Sequence, residues 1–175
     1  MAELEIHHEA HHDSDPLGKR IGIFAAIVAM TLAIVSIASH RAHTQAVLLK
    51  TDANDKWSYY EAQRMKYHNI ELGEDILASL PAANGEAARR LSRYEGDKDK
   101  YEKRSRKAQE DAEAKEKEAD HMEETAFRFD VGEGLLEIGL VMTSLYFVSK
   151  RTLFPVVGVV AAVAGVVMAV MGFTF

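Results

Sequence analysis

Hydrophobic and polar positions divide this chain into long blocks. Ile21–Ser39 and Leu153–Phe175 contain no Asp, Glu, Lys or Arg. Each is long enough to cross a bilayer, since about 20 apolar residues at 1.5 Å rise match a hydrocarbon core of roughly 30 Å. A third run, Val131–Ser149, is also long enough to span but carries Glu133 and Glu137. The pattern predicts three transmembrane helices, over 19–40, 131–149 and 153–175. A polar tail precedes them at 1–18, and a short basic loop joins the last two at 150–152.

Between the first and second runs lies a highly charged segment. Residues 41–80 contain no proline and one glycine, which predicts one long helix. Pro81-Ala82-Ala83-Asn84-Gly85 is the clearest turn signal in the chain. Residues 86–130 again lack proline and are rich in alanine, glutamate, lysine and arginine, strong helix formers. Steps of three and four from Leu91 through Tyr94, Tyr101, Ala108 and Ala112 to Phe129 trace a coiled-coil-like seam, interrupted by Lys98 and Lys115. A weaker seam runs from Ala46 through Ala53, Tyr60, Gln63 and Tyr67 to Leu77. The expected fold class is an all-α membrane protein, with 41–130 forming a long antiparallel helical hairpin turning at 81–85. Pairing symmetric about Ala83 puts Trp57 level with Gln109, between Ala108 and Ala112.

Two antiparallel helices bury only one stripe each. A second copy of the chain is the simplest source of further helices, so a homo-oligomer is expected. Gly158, Ala162, Gly165, Ala169 and Gly172 recur at four-and-three spacing in the last span. Such small residues let helices approach closely in lipid, and they are assigned to packing between protomers.

Charge adds orientation. Lys19-Arg20 precedes the first span and Lys150-Arg151 separates the second from the third, so three spans put both pairs on one side. The positive-inside tendency makes that side the cytoplasm, with the hairpin and the C-terminus facing outward. The run Ile21–Ser39 is longer than the usual 7–15-residue core of a signal peptide and follows a long polar leader, so it is read as a retained anchor. The net charge of −6 argues against nucleic acid, which needs a basic footprint. The absence of cysteine excludes disulfides, thiol catalysis and cysteine metal sites. No P-loop, G-x-G-x-x-G, G-x-S-x-G or H-E-x-x-H occurs, so no enzyme activity and no cofactor are expected.

The most distinctive string is Asn54-Asp55-Lys56-Trp57-Ser58-Tyr59-Tyr60-Glu61-Ala62-Gln63. This N-D-x-W-x-x-Y-x-A-x segment follows an acidic, histidine-containing tail and one span. A charged helical arm and a closing pair of spans come after it. The chain thereby resembles the bacterial family called domain of unknown function 4337 over nearly its whole length. The resemblance implies a bacterial integral membrane protein and brings no activity, substrate or site residue with it.

Trp57, Tyr60 and Tyr67 share one side of a helix. They serve either as a docking patch or, the reading taken here, as packing within the hairpin or between protomers. His7/His11 and His8/His12 are each four apart, so each pair could grip zinc or copper on a helix. The sequence supplies no enclosing fold for them, and a solvated tail is the reading taken. His40, His43, His68 and His121 show no metal-ligand spacing. Glu133 and Glu137 are four apart, with Glu137 about 9 Å into the span from Val131. Acids at that depth either serve function or are neutral and packed.

The expectation is a homo-oligomeric scaffold or accessory subunit of the bacterial inner membrane. It would contact lipid and, in one version, a larger membrane complex. Two alternatives stand beside it. One is a small ion or proton channel or transporter using Glu137. The other is a metal-sensing membrane protein using the histidine tail.

Overall fold

A computed structural model describes residues 15–79 and 85–174. The described residues form three α-helices and no strands: α1 (Pro16–Ser79), α2 (Gly85–Ser149) and α3 (Leu153–Thr174). All three contain stretches long and apolar enough to cross a membrane. Neither Ser39 nor Asp130 ends a helix, so α1 and α2 each run unbroken from apolar into charged sequence. Of the five residues of the turn expected at 81–85, all but Gly85 lie outside the described residues. The described residues divide into two compact units, 15–36 with 129–174 and 37–128.

Pro16 and Gly18 open α1 and do not break it. Proline suits the first helical position, where its missing N–H has no partner to lose. Asp15 precedes it as the N-cap, and its Oδ1 accepts the Gly18 N–H at 2.8 Å. The helix therefore starts before the boundary that the polar tail suggested.

In the first unit, α3 lies against α2 through glycine. A Cβ added at Gly139 would sit 2.9 Å from the Gly158 carbonyl oxygen, and one at Gly132 would sit 3.0 Å from that of Gly165. At Gly139 a side chain would force the backbones to shift, and at Gly132 the α3 backbone would have to give by a few tenths of an ångström. Leu136 and Thr143 are fully buried, and the Thr143 hydroxyl donates back to the Gly139 carbonyl at 2.7 Å. Phe129 packs edge-on to Phe173, with centroids 4.8 Å apart. The α1 segment of this unit buries Ile21, Val28 and Val35, spaced seven apart. Ile23, Ile27, Met30 and Ile34 face outward on the same segment, as lipid contact requires.

In the second unit every seam position named above from Ala46 to Leu77 and from Leu91 to Lys115 is buried or half-buried. Ala53, Ala108, Ala112, Ala119 and Ala126 are each no more than 4% exposed. Partners across the seam run in opposite numerical order. Lys50 meets Glu123 at 2.9 Å, the Trp57 Nε1–H donates to Glu116 at 3.2 Å, and Lys98 meets Glu74 at 2.9 Å. One level is polar. Gln63 and Ser105 are both buried, the Ser105 hydroxyl donates to the Glu102 carbonyl, and the Gln63 Oε1 accepts no hydrogen bond.

Candidate functional site

Glu137 is exposed on α2 and Glu133, one turn earlier, is half-buried. The outward face around Glu137 holds Gly134, Val141 and Ser144. A Cβ on Gly134 would meet open space, and the Ser144 hydroxyl donates to the Val141 carbonyl at 2.8 Å. Seven residues separate Glu137 from Asp130, so the carboxyl group sits about 10 Å along the helix from the last charged residue before the run. At that depth a carboxylate needs a proton, a partner or water.

The aromatic trio does not form an exposed patch. Trp57, Tyr60 and Tyr67 are all half-buried. Trp57 packs edge-on to Tyr60 at 5.6 Å, and the Lys98 ammonium lies 5.7 Å from the Tyr67 ring centroid. The Trp57 indole N–H reaches along the arm to Glu116, seven residues beyond Gln109. At the backbone level expected for Trp57, Ala108 and Asp111 line a shallow groove of about 300 Å³ with Asp52, Lys56 and Tyr59. The indole leans along the arm, and a ring that is half wet anchors less than a core tryptophan.

The small-residue stripe of α3 needs correction. Gly158, Ala162, Gly165, Ala169 and Gly172 are all buried within a single chain. Their neighbours are Gly139, Thr143, Gly132, Leu136 and Phe129 of α2. The stripe is therefore occupied by the chain's own second span and is not available as a protomer contact. Gly132 and Gly139 complete this interface. Their seven-residue spacing repeats that of Gly158 and Gly165, a signal available in the sequence.

A further cluster was not foreseen. The Tyr146 hydroxyl donates to Asp15 Oδ2 at 3.2 Å, and the Lys150 ammonium lies 3.4 Å from the same oxygen and 5.5 Å from the Tyr146 ring centroid. Lys150 has a φ of 53°, the left-handed conformation that ends α2, and its N–H bonds the Tyr146 carbonyl at 2.8 Å. The Gly18 N–H holds the Asp15 carboxyl below its ordinary range. Desolvation opposes this shift, and Tyr146 and Lys150 reinforce it. The contact joins the start of α1 to the end of α2, so Lys19-Arg20 and Lys150-Arg151 stand at one end of this unit.

His7, His8, His11 and His12 lie outside the described residues. Among the described residues no three His, Asp or Glu side chains are grouped to hold a metal ion. His68 contacts Glu71 at 3.2 Å on the exposed surface of α1.

Neither the comparison with curated proteins nor that with solved structures returns a match. A family model does match, over residues 17–175, which takes in all three helices and leaves out the histidine tail. The chain belongs to the family described as Domain of unknown function (DUF4337).

Proposed function

We propose that this protein is a homo-oligomeric scaffold or accessory subunit of the bacterial inner membrane, with no catalytic activity of its own. The charged parts of α1 and α2 form an antiparallel, coiled-coil-like hairpin, a stiff arm carried on membrane-spanning helices. The observation that carries this reading is the seam. Small alanines let the helices approach, and ion pairs and Trp57 bracket them at several levels from Lys50–Glu123 to Lys98–Glu74. The arm of α1 from Arg41 to Ser79 is about 58 Å long at 1.5 Å per residue, a reach suited to holding a partner at a distance.

Asp15 gathers the two basic pairs at one end, which supports an N-terminus in the cytoplasm and a hairpin in the periplasm. The chain contains no cysteine, so Asn84→Cys gives a single label site. An impermeant maleimide should label it in cells with only the outer membrane permeabilised. Labelling only after inner-membrane lysis would reverse the orientation. Native mass spectrometry of the wild type in mild detergent should give an oligomer, and a monomer mass would remove the scaffold reading.

A second reading rests on Glu137. Its exposure at span depth also suits a channel or transporter in which several copies surround a polar path.

A further inference from the structure

The two helices of the charged unit have very different outer faces. On α2, steps of four and three from Arg89 to Arg128 follow the face turned away from the seam. Nine of those twelve positions are charged. That is the ordinary composition of a solvated coiled-coil exterior. On α1, the equivalent steps from Thr44 to Ser79 cross eleven positions, all exposed, and only Asp55 is charged. Beyond Asp55 the stripe reads Ser58, Ala62, Met65, Asn69, Leu72 and Ile76. Met65, Leu72 and Ile76 are 65%, 59% and 53% exposed. A helix of a two-helix arm would be expected to solvate this face most fully. Here it has the heptad spacing of a second seam.

We propose that the α1 stripe from Ser58 to Ile76 docks on the same stripe of a second copy, parallel and in register, so that two arms form a four-helix stalk. This rests on the homo-oligomer reading above and assigns its interface. Three features select a second copy as the occupant. Every copy's α1 begins with the same span, so a given stripe residue lies the same number of residues from the membrane in each, and like meets like. The flanks are also complementary. In a parallel pair through this stripe, Glu61 of one copy lies beside Lys66 of the other, five residues on, the spacing of an interhelical ion pair in a coiled coil. Lys66 is exposed and rests 5.8 Å from the Tyr101 ring centroid, which holds it on that flank. Finally, Asn69 occupies a seam position where a single polar residue fixes register and pair number. Asp55 would face its own copy and marks where the contact begins. The charged exterior of α2 stays in water.

Disulfide trapping in the full chain tests the assignment. Met65 and Leu72 fall at stripe positions where a parallel pair brings Cα atoms within disulfide range, about 4.4–6.8 Å. Met65→Cys and Leu72→Cys, made singly and oxidised in native membranes, should each give a covalent species at twice the 19.5 kDa chain mass. Lys103→Cys, on the exterior of α2, should not. Met65→Lys with Leu72→Lys should abolish the oligomer seen by native mass spectrometry and leave helicity by circular dichroism unchanged, because both side chains are exposed within one chain. An oligomer that Lys103→Cys traps and Leu72→Cys does not would overturn this interface and leave the homo-oligomer standing. An adduct of any other mass would also overturn it, by showing a different partner on the stripe. A monomeric wild type would remove both.

Discussion

Gly139 and Ala112 hold equivalent places in two helix pairs, and the contrast between them separates the two regions of the molecule. At Gly139 the α3 backbone is so near that a Cβ would sit 2.9 Å from a carbonyl oxygen. At Ala112 a methyl group is present and fully buried, and the seam is bracketed by tyrosines, a tryptophan and lysine–glutamate pairs. The difference follows from the solvent. Lipid offers little gain for burying apolar side chains, so spans associate by close backbone packing. Water rewards apolar burial at about 25 cal/mol per Å² and solvates a charged rim, so the arms use methyl groups inside and charges outside. One sequence thus carries two packing codes on the same continuous helix α2.

The largest effect should come from the membrane side. Gly139→Leu inserts a side chain where a backbone already sits, and should cost about 3 kcal/mol or more. Its measure is the midpoint of unfolding in detergent. Near-wild-type stability would mean that α3 does not pack on α2 through glycine. Trp57→Ala probes the other code. Because the ring is half-buried, the loss should be about 1–2 kcal/mol, below the 3–5 of a fully buried tryptophan. The wild-type tryptophan emission should be partly quenched by acrylamide. An emission fully shielded from quencher would restore a core anchor.

Gln63 gives a smaller effect of opposite sign. Its buried Oε1 accepts no hydrogen bond, and Gln63→Met keeps the length while removing that polar atom. The variant should be more stable by about 1 kcal/mol in thermal unfolding. Destabilisation would show that the amide has a partner on the seam. The smallest effect concerns Asp15. Its pKa is depressed in the folded chain, so its contribution is complete above its ordinary value near pH 4 and is lost as pH falls through the lowered one. Asp15→Asn should flatten stability against pH on that acid limb and leave neutral-pH assembly intact. An acid limb unchanged by the substitution would show that the Gly18, Tyr146 and Lys150 contacts do not form.

Much of this architecture was legible in the sequence because it is periodic. The three apolar runs predicted spans, and the steps from Leu91 and Ala46 picked out the buried stripes of the charged helices. The alanines at 108 and 112 were found because a heptad is visible without knowing its partner. Partner identity was not visible in the same way. The glycine stripe of α3 announced close packing, yet its spacing suits another copy's helix as well as the chain's own second span. Only the opposing Gly132 and Gly139 decide the matter. The polar tail read as ending at residue 18 because the sequence does not reveal that Asp15 caps a helix opened by Pro16. Trp57 sits on the seam flank as its spacing implied, but periodicity fixes a face and not how far an indole leans along it. Glu137 lies on the outward face of α2, and neither its position nor its neighbours assign it a partner.

The scaffold reading is tested most directly by flux. Wild-type protein reconstituted into liposomes under a proton or alkali-cation gradient should pass no more than protein-free vesicles do. Glu137→Gln, which keeps size and removes ionisation, should assemble as the wild type does and behave identically. A robust wild-type flux that Glu137→Gln abolishes would contradict the account and make Glu137 the centre of a conduit.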